Sequence, residues 1–263
     1  MNRIDKQFIK LKEEGKKAFI PFITAGDPNL EATKEFIYAL EECGSHIIEL
    51  GIPFSDPMAD GETIQNANVR ALKNPIDLDK IFNLVEEVRP RIKAALVFLI
   101  YSNMIFHYKA VNFFKRCQEV GVDGVIVPDM PIEEIEEFES VAKEYNIHMI
   151  RLIAPTSTDR VARIADGARG FLYCVSSLGV TGTRNQLTTD FDTMFREIQE
   201  VTTIPTAIGF GITTPEQVSQ IKNYTDGVIV GSALVKLIEE KGEGATKDIK
   251  EFVEQMMAKL EVI

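Results

Sequence analysis

Tryptophan is absent from this 263-residue chain, and cysteine and histidine occur only three times each. Cys43, Cys117 and Cys174 lie far apart and match no zinc or redox spacing, so reduced thiols packed as small hydrophobes are expected. His46, His107 and His148 have no partner at metal-ligand spacing, and no metal site is expected. The longest apolar run, 94–101, falls far short of the roughly 20 residues that span a bilayer. Basic residues are outnumbered, with 29 Lys and Arg against 40 Asp and Glu and a net charge of −11. That balance removes the broad positive footprint of a nucleic-acid binder, although a helix N-terminus can still hold an anion locally. Met1, Asn2 and Arg3 lead into a charged helix and not an apolar leader, so no signal peptide is expected and the cytoplasm is the expected address.

What is present is ordinary globular material, 45% hydrophobic and 26% charged, in a regular rhythm without a linker. Ile4, Phe8 and Leu11 give 2–14 one apolar helical face, closed by Gly15. Strands are then expected at 18–24, 46–51, 94–100, 124–127, 147–154, 170–176, 205–210 and 227–231. Helical patterns follow at 30–43, 78–89, 111–120, 132–145, 158–166, 191–201, 215–223 and 245–260. Val125-Ile126-Val127 and Val228-Ile229-Val230 are continuously apolar, as strands buried on both faces are. Asp123-Gly124-Val125-Ile126-Val127 recurs as Asp226-Gly227-Val228-Ile229-Val230, half of an eightfold repeat away.

Eight βα units in this length predict an α/β fold, a (β/α)8 TIM barrel spanning 1–263 as one domain, with an extra N-terminal helix and a long lid loop after strand 6. No Gly-x-Gly-x-x-Gly follows the first strand, which counts against an open dinucleotide-binding sheet. In such barrels the site lies at the C-terminal strand ends. Two connections there are long, 51–63 and 177–189, and long loops in compact domains are often functional.

The loop after the second strand carries the most chemistry. Glu49 interrupts an apolar strand near that end, where a charge is costly unless paired with a base or functional. A carboxyl so placed tends to a raised pKa and can both give and take protons near neutrality. Asp56 and Asp60 lie above it; each is equally readable as a solvated turn former. Gly179-Val180-Thr181-Gly182, Gly209-Phe210-Gly211 and Gly231-Ser232 follow the last three strands, where barrels often bind phosphate. Gly231-Ser232-Ala233-Leu234 reads as the start of a short helix, with Ser232 as its cap. Phe22, Leu99, Tyr173 and Phe210 are core residues or the wall of an apolar pocket. The nucleotide P-loop and the Gly-x-Ser-x-Gly elbow are missing, and no lysine occupies a strand end, against a Schiff-base aldolase.

Glu49-Leu50-Gly51-Ile52-Pro53-Phe54-Ser55-Asp56-Pro57, followed by Ala59-Asp60-Gly61 and Thr63-Ile64-Gln65, resembles the signature of the tryptophan synthase alpha chain family. The segments around Gly124, Pro128-Asp129-Met130-Pro131, Gly179–Gly182, Gly209–Ile212 and Gly231–Ala233 resemble it too, in the family's order. The resemblance implies retro-aldol cleavage of indole-3-glycerol phosphate to indole and glyceraldehyde 3-phosphate. It implies Glu49 as general acid/base and Asp60 as the carboxylate that accepts the indole N–H and stabilises charge on the ring. Gly182, Gly211, Gly231 and Ser232 match a phosphate cradle, Phe22, Leu99, Tyr173 and Phe210 an indole-pocket wall, and Thr181 the lid over Asp60. Asp56 and Pro57 match positions that face a beta chain in an αββα heterotetramer. No cofactor is expected in this chain, pyridoxal phosphate belonging to that partner. Glu62 and Met104 stand where relatives often carry proline. A standalone lyase, a non-catalytic allosteric partner of the beta chain and another sugar-phosphate barrel remain the alternatives.

Overall fold

The computed structural model describes residues 1–154, 160–175, 191–209 and 211–261. Eight parallel strands close into a barrel in chain order: β1 (Ala18–Thr24), β2 (Ile47–Gly51), β3 (Ala95–Leu99), β4 (Gly124–Ile126), β5 (His148–Ile153), β6 (Leu172–Val175), β7 (Thr206–Gly209) and β8 (Gly227–Val230). Closure is completed by β1 pairing with β8, Ile20 opposite Ile229. The outer layer holds α2 (Leu30–Glu42), α4 (Leu78–Val88), α6 (Ala110–Val120), α7 (Ile135–Glu144), α8 (Val161–Ala165), α9 (Phe191–Val201), α10 (Pro215–Ile221) and α12 (Thr246–Glu261).

Strand periodicity splits the apolar residues into two cores. Ile48, Leu50, Leu96, Phe98, Val125 and Val228 face outward and pack with helix residues such as Phe36, Phe82 and Phe113. Ile20, Ile47, Val97, Ile126, Ile150 and Ile229 face the axis. The N-terminal helix α1 (Arg3–Glu13) adds Ile4, Phe8 and Leu11 to that inner core, so it stoppers the lower end of the barrel.

Polar anchors hold the stopper. The Asn2 side chain accepts from the Ile4 N–H at 2.9 Å and donates to the carbonyls of Asp123 and Asn146, both at 2.8 Å. Arg3 reaches Asp123 at 2.9 Å, and His148 Nε2 lies 2.8 Å from Asp5.

The repeated pentapeptide has a structural counterpart. Asp123 and Asp226 each precede a strand and bond the backbone of the strand before it in the same way. The Asp123 N–H donates to Leu96 O at 2.8 Å and its carboxylate accepts from Leu96 N–H at 2.9 Å. Asp226 repeats this with Thr206, at 2.9 and 3.0 Å. The aspartate serves as a register clamp between β3 and β4 and between β7 and β8.

Three further helices sit in the upper loops: α3 (Glu62–Ala71), α5 (Ser102–Tyr108) and α11 (Ser232–Lys241). Of these, the sequence suggests only α11. The segment that becomes α3 buries Ala67 and Asn68 beside Ile64 and Ala71, so its periodicity is too faint to read as an apolar stripe. His107 lies inside α5, and Lys109, at φ +74°, joins α5 to α6. Glu62 opens α3, where an anion is favoured at the positive helix end. Met104 lies in α5 and packs against the outer core. The long connection 177–189 falls outside the described residues.

Replacing Asn2 by Ala removes a helix cap and two buried links to the barrel floor. The expected loss is about 1–2 kcal/mol of unfolding free energy, read from urea denaturation. An unchanged midpoint would remove the cap from the stability of the fold.

Candidate active site

On β2 the side chains of Ile47 and Glu49 turn to the axis while Ile48 and Leu50 turn to the helices, which puts a carboxyl inside the upper barrel. Glu49 pairs in register with Phe22 on β1 and Val97 on β3. It is 1% exposed, and its Oε2 makes no hydrogen bond with any described residue. Burial, reinforced by the charge of Asp60, pushes its pKa up to about 8.

Asp60 is also buried, but it is provided with donors. Tyr101 and Asn68 hydrogen-bond its carboxylate, the latter at 3.5 Å, and oppose the upward push of burial, leaving a pKa of about 6. The surrounding loop is tied down at several points. Gln65 donates to the Asp60 carbonyl at 2.8 Å, and Asn68 accepts from the Phe54 N–H at 3.0 Å. The Ala59 N–H donates to the Tyr101 hydroxyl at 3.1 Å, and the Tyr101 ring stacks on Phe54 with centroids 5.0 Å apart.

Both carboxyls line one cavity above the barrel. Phe22, Ile64, Leu99, Ile126, Pro128, Leu152, Tyr173 and Ile229 supply apolar wall, and Gly211, Gly231 and Ser232 line the same space. Gly51 is required beneath Phe22, since a Cβ there would stand 2.5 Å from the ring. Gly211 has φ +83°, a backbone conformation that glycine adopts without strain.

The expected residues therefore converge where they lie in the described parts. Glu49, Asp60, Phe22, Leu99, Tyr173, Gly211, Gly231 and Ser232 share the cavity. Thr181, Gly182 and Phe210 lie outside the described residues. Asp56 and Pro57 do not line the cavity: Asp56 is exposed and receives a 2.6 Å bond from Ser55, and the Pro57 carbonyl accepts from the Asp60 N–H at 3.0 Å. One expectation is corrected. Gly231, not Ser232, occupies the N-cap of α11; Ser232 is its first helical residue, so no side chain caps that end and its N–H groups keep their positive character.

Asn68, Leu152 and Ile229 carry no signal in the sequence alone that marks them as site residues, and Ile64 and Tyr101 stand there only within a signature and at a strand end. A buried Asn mid-helix is the signal that could have marked Asn68, had α3 been recognised. Among the described residues, no group of three or more His, Cys, Asp or Glu could hold a metal, and no helix is long and apolar enough to cross a membrane.

Comparison with known proteins bears on what this cavity does. Residues 8–262 match the family model of the tryptophan synthase alpha chain. The tryptophan synthase alpha chain of Thermoanaerobacter sp. (strain X514) is 48% identical over 259 residues, covering 97% of this chain and 98% of that one. That of Caldanaerobacter subterraneus subsp. tengcongensis is 46% identical over the whole of both chains. The chain belongs to the tryptophan synthase alpha chain family. Among solved structures, the alpha subunit from Legionella pneumophila superposes with a TM-score of 0.90 at 35% identity over the full length of both chains. The tryptophan synthase complex of Pyrococcus furiosus gives a TM-score of 0.85 at 40% identity, covering 92% of this chain and 99% of its counterpart. The activity of this family, and so of this chain, is the lyase half-reaction, cleavage of indole-3-glycerol phosphate to indole and glyceraldehyde 3-phosphate.

A buried acid with a raised pKa makes folding pH-dependent. Because Glu49 holds its proton more tightly folded than unfolded, its favourable contribution is complete below about pH 4.5 and is lost as pH rises through about 8. Glu49→Gln should therefore exceed the wild type in unfolding free energy at pH 9, by on the order of 3 kcal/mol, with the gap closing toward pH 5. A pH-independent difference in denaturant titrations would contradict the raised pKa.

Proposed function

We propose that Glu49 is the proton shuttle of the cleavage and Asp60 the group that holds the indole ring. The observation that carries this reading is the pairing of the two acids in one apolar cavity, one without a hydrogen-bond donor at Oε2 among the described residues and the other furnished with two. Breaking the carbon–carbon bond requires a proton at C3 of the indole, which turns the ring into a leaving group. It also requires loss of a proton from the glycerol hydroxyl that becomes the aldehyde. Glu49, protonated at neutral pH, gives the first proton and as a carboxylate takes the second. Asp60, ionised at the same pH, accepts the indole N–H and balances positive charge as it develops on the ring.

The apolar wall of Phe22, Ile64, Leu99, Leu152 and Tyr173 suits the flat ring. Gly211, Gly231 and Ser232 suit the phosphate: bare backbone at the positive end of α11 binds an anion without requiring a basic side chain. This division of labour uses no cofactor in the chain.

Asp56 and Pro57, on the loop that Asp60 shares, are assigned to contact with a beta chain carrying pyridoxal phosphate. Met58 beside them is 84% exposed, which suits a surface that a partner covers. The Pyrococcus furiosus relative is described as an a2b2 complex, and the same αββα arrangement is proposed here, in the cytoplasm.

Indole release by the purified chain, alone and with a beta chain, tests the whole reading. Slow release that rises sharply with the partner is expected; fast release that ignores it would indicate a standalone lyase. Glu49→Gln should lower turnover at least about 100-fold with the fold intact, and Asp60→Asn by a smaller factor. Near-wild-type turnover in Glu49→Gln would remove that residue from the chemistry. The kcat/KM profile of the free enzyme should be a bell. Its acid limb, near pH 6, reflects protonation of Asp60, and its alkaline limb, near pH 8, the loss of the proton that Glu49 must donate. An alkaline limb that persists in Asp60→Asn but vanishes in Glu49→Gln is the expected signature.

A further inference from the structure

One buried ion pair near the cavity has no part in the chemistry above. From α3, the Arg70 guanidinium meets Asp27 as a two-pronged fork, Nε to Oδ1 at 2.9 Å and Nη2 to Oδ2 at 2.8 Å. Its remaining nitrogen, Nη1, reaches Glu239 on α11 at 2.7 Å. Asp27 is 1% exposed and lies in the loop after β1. A carboxylate at that depth demands a counter-charge, and Arg70 supplies it.

The three elements joined by this cation are those that carry the two halves of the site. β1 carries Phe22; α3 carries Ile64 and Asn68, the latter bonded to Asp60; α11 starts at Ser232 in the phosphate cradle. Between β1, α3 and α11, Phe22, Ile64, Ala67 and Val235 form a separate apolar cluster. Apolar contact is non-directional and lets two helices slide, whereas a planar fork fixes distance and angle. Asn74, just past α3, adds donors to the carbonyls of Gly26 at 3.3 Å and Pro28 at 2.6 Å, so the end of the helix is pinned to the same loop.

We propose that Arg70 is a positioning residue that couples the phosphate half of the site to the ring half. Phosphate seated at the start of α11 fixes that helix. Glu239, Arg70 and Asp27 carry its placement to α3, and α3 sets Asp60 through Asn68. The proposal rests on the roles given above to Asp60, Gly231 and Ser232. Its consequence is that the two parts of the substrate, indole and glycerol 3-phosphate, bind synergistically, each raising the affinity of the other by the same factor.

Calorimetric titration of indole into the full chain, with and without saturating glycerol 3-phosphate, measures that factor. The wild type should show roughly a fivefold or larger gain. Arg70→Lys keeps a charge against Asp27 but replaces the fork with a point donor. It should bind glycerol 3-phosphate alone as the wild type does, yet show a gain under about twofold and a kcat lowered roughly tenfold with KM moved less. Glu239→Gln leaves the buried pair whole and weakens only the α11 arm, so its gain should fall between the two. An undiminished gain in Arg70→Lys, or in Glu239→Gln should the lysine variant not fold, would overturn the coupling. So would a wild type that binds both ligands without synergy. Failure of the wild type to bind glycerol 3-phosphate at all would instead bring down the phosphate assignment beneath it.

Discussion

Closure of the eight parallel strands is the constraint on which the site depends. Once β1 bonds to β8, each strand has a fixed inward and outward face, and the side chains of the inner face have only the axis to occupy. The lower part is filled by aliphatic residues and by the stopper helix α1. At the upper rim the same geometry directs Glu49 into the cavity, where its side chain is shielded from solvent. Register makes this unavoidable: a slip of one residue in β2 would send Glu49 to the helices and bring Leu50 into the cavity.

Burial at the rim alone would give two acids of similar character. The difference between Glu49 and Asp60 comes from what the loops bring to each. The loop after β2 arches back over the barrel, and α3 and the end of β3 deliver Asn68 and Tyr101 to Asp60. Nothing among the described residues does the same for Glu49 Oε2. Leaving a buried acceptor without a partner costs stability, and it is concentrated here on the atom assigned the proton transfer. The register clamps at Asp123 and Asp226, the capped stopper helix and the two continuous cores stabilise the frame that offsets that cost.

Most of the barrel is legible in the chain because parallel strands buried on both faces are short, continuous apolar runs, and the Asp-Gly-Val-Ile-Val repeat marks two of them half a turn apart. Glu49 is legible for the same reason, as a charge in such a run. The supporting residues are not. Asn68 and Gln65 belong to a helix whose buried side is mostly Ala and Asn, and Tyr101 reads as the end of an apolar run, just past the expected strand 94–100. Arg70 is a surface arginine in sequence; only the folded loop after β1 shows that Asp27 is buried opposite it. Sequence preference puts the cap of α11 at Ser232 because serine is the commoner cap, while the backbone puts Gly231 there. What escapes sequence reasoning is consistently the second partner of a long-range polar contact.

In the proposed mechanism the two pKa values let one acid serve the whole cleavage. Delivery of a proton to the ring and collection of one from the hydroxyl leave Glu49 in the state in which it began. The cycle therefore needs no proton from solvent. An acid of ordinary pKa would start ionised at neutrality and would have to be loaded first. Burial raises Glu49 enough to be loaded at rest, while the donors on Asp60 keep the neighbouring acid ionised for the ring. Burial is the largest cause of the upward push on both acids, and they separate because the charge of Asp60 raises Glu49 further while hydrogen bonds from Tyr101 and Asn68 hold Asp60 down. The residues around Asp60, which touch none of the atoms whose bonds change, therefore help decide which of the two carboxyls carries the proton.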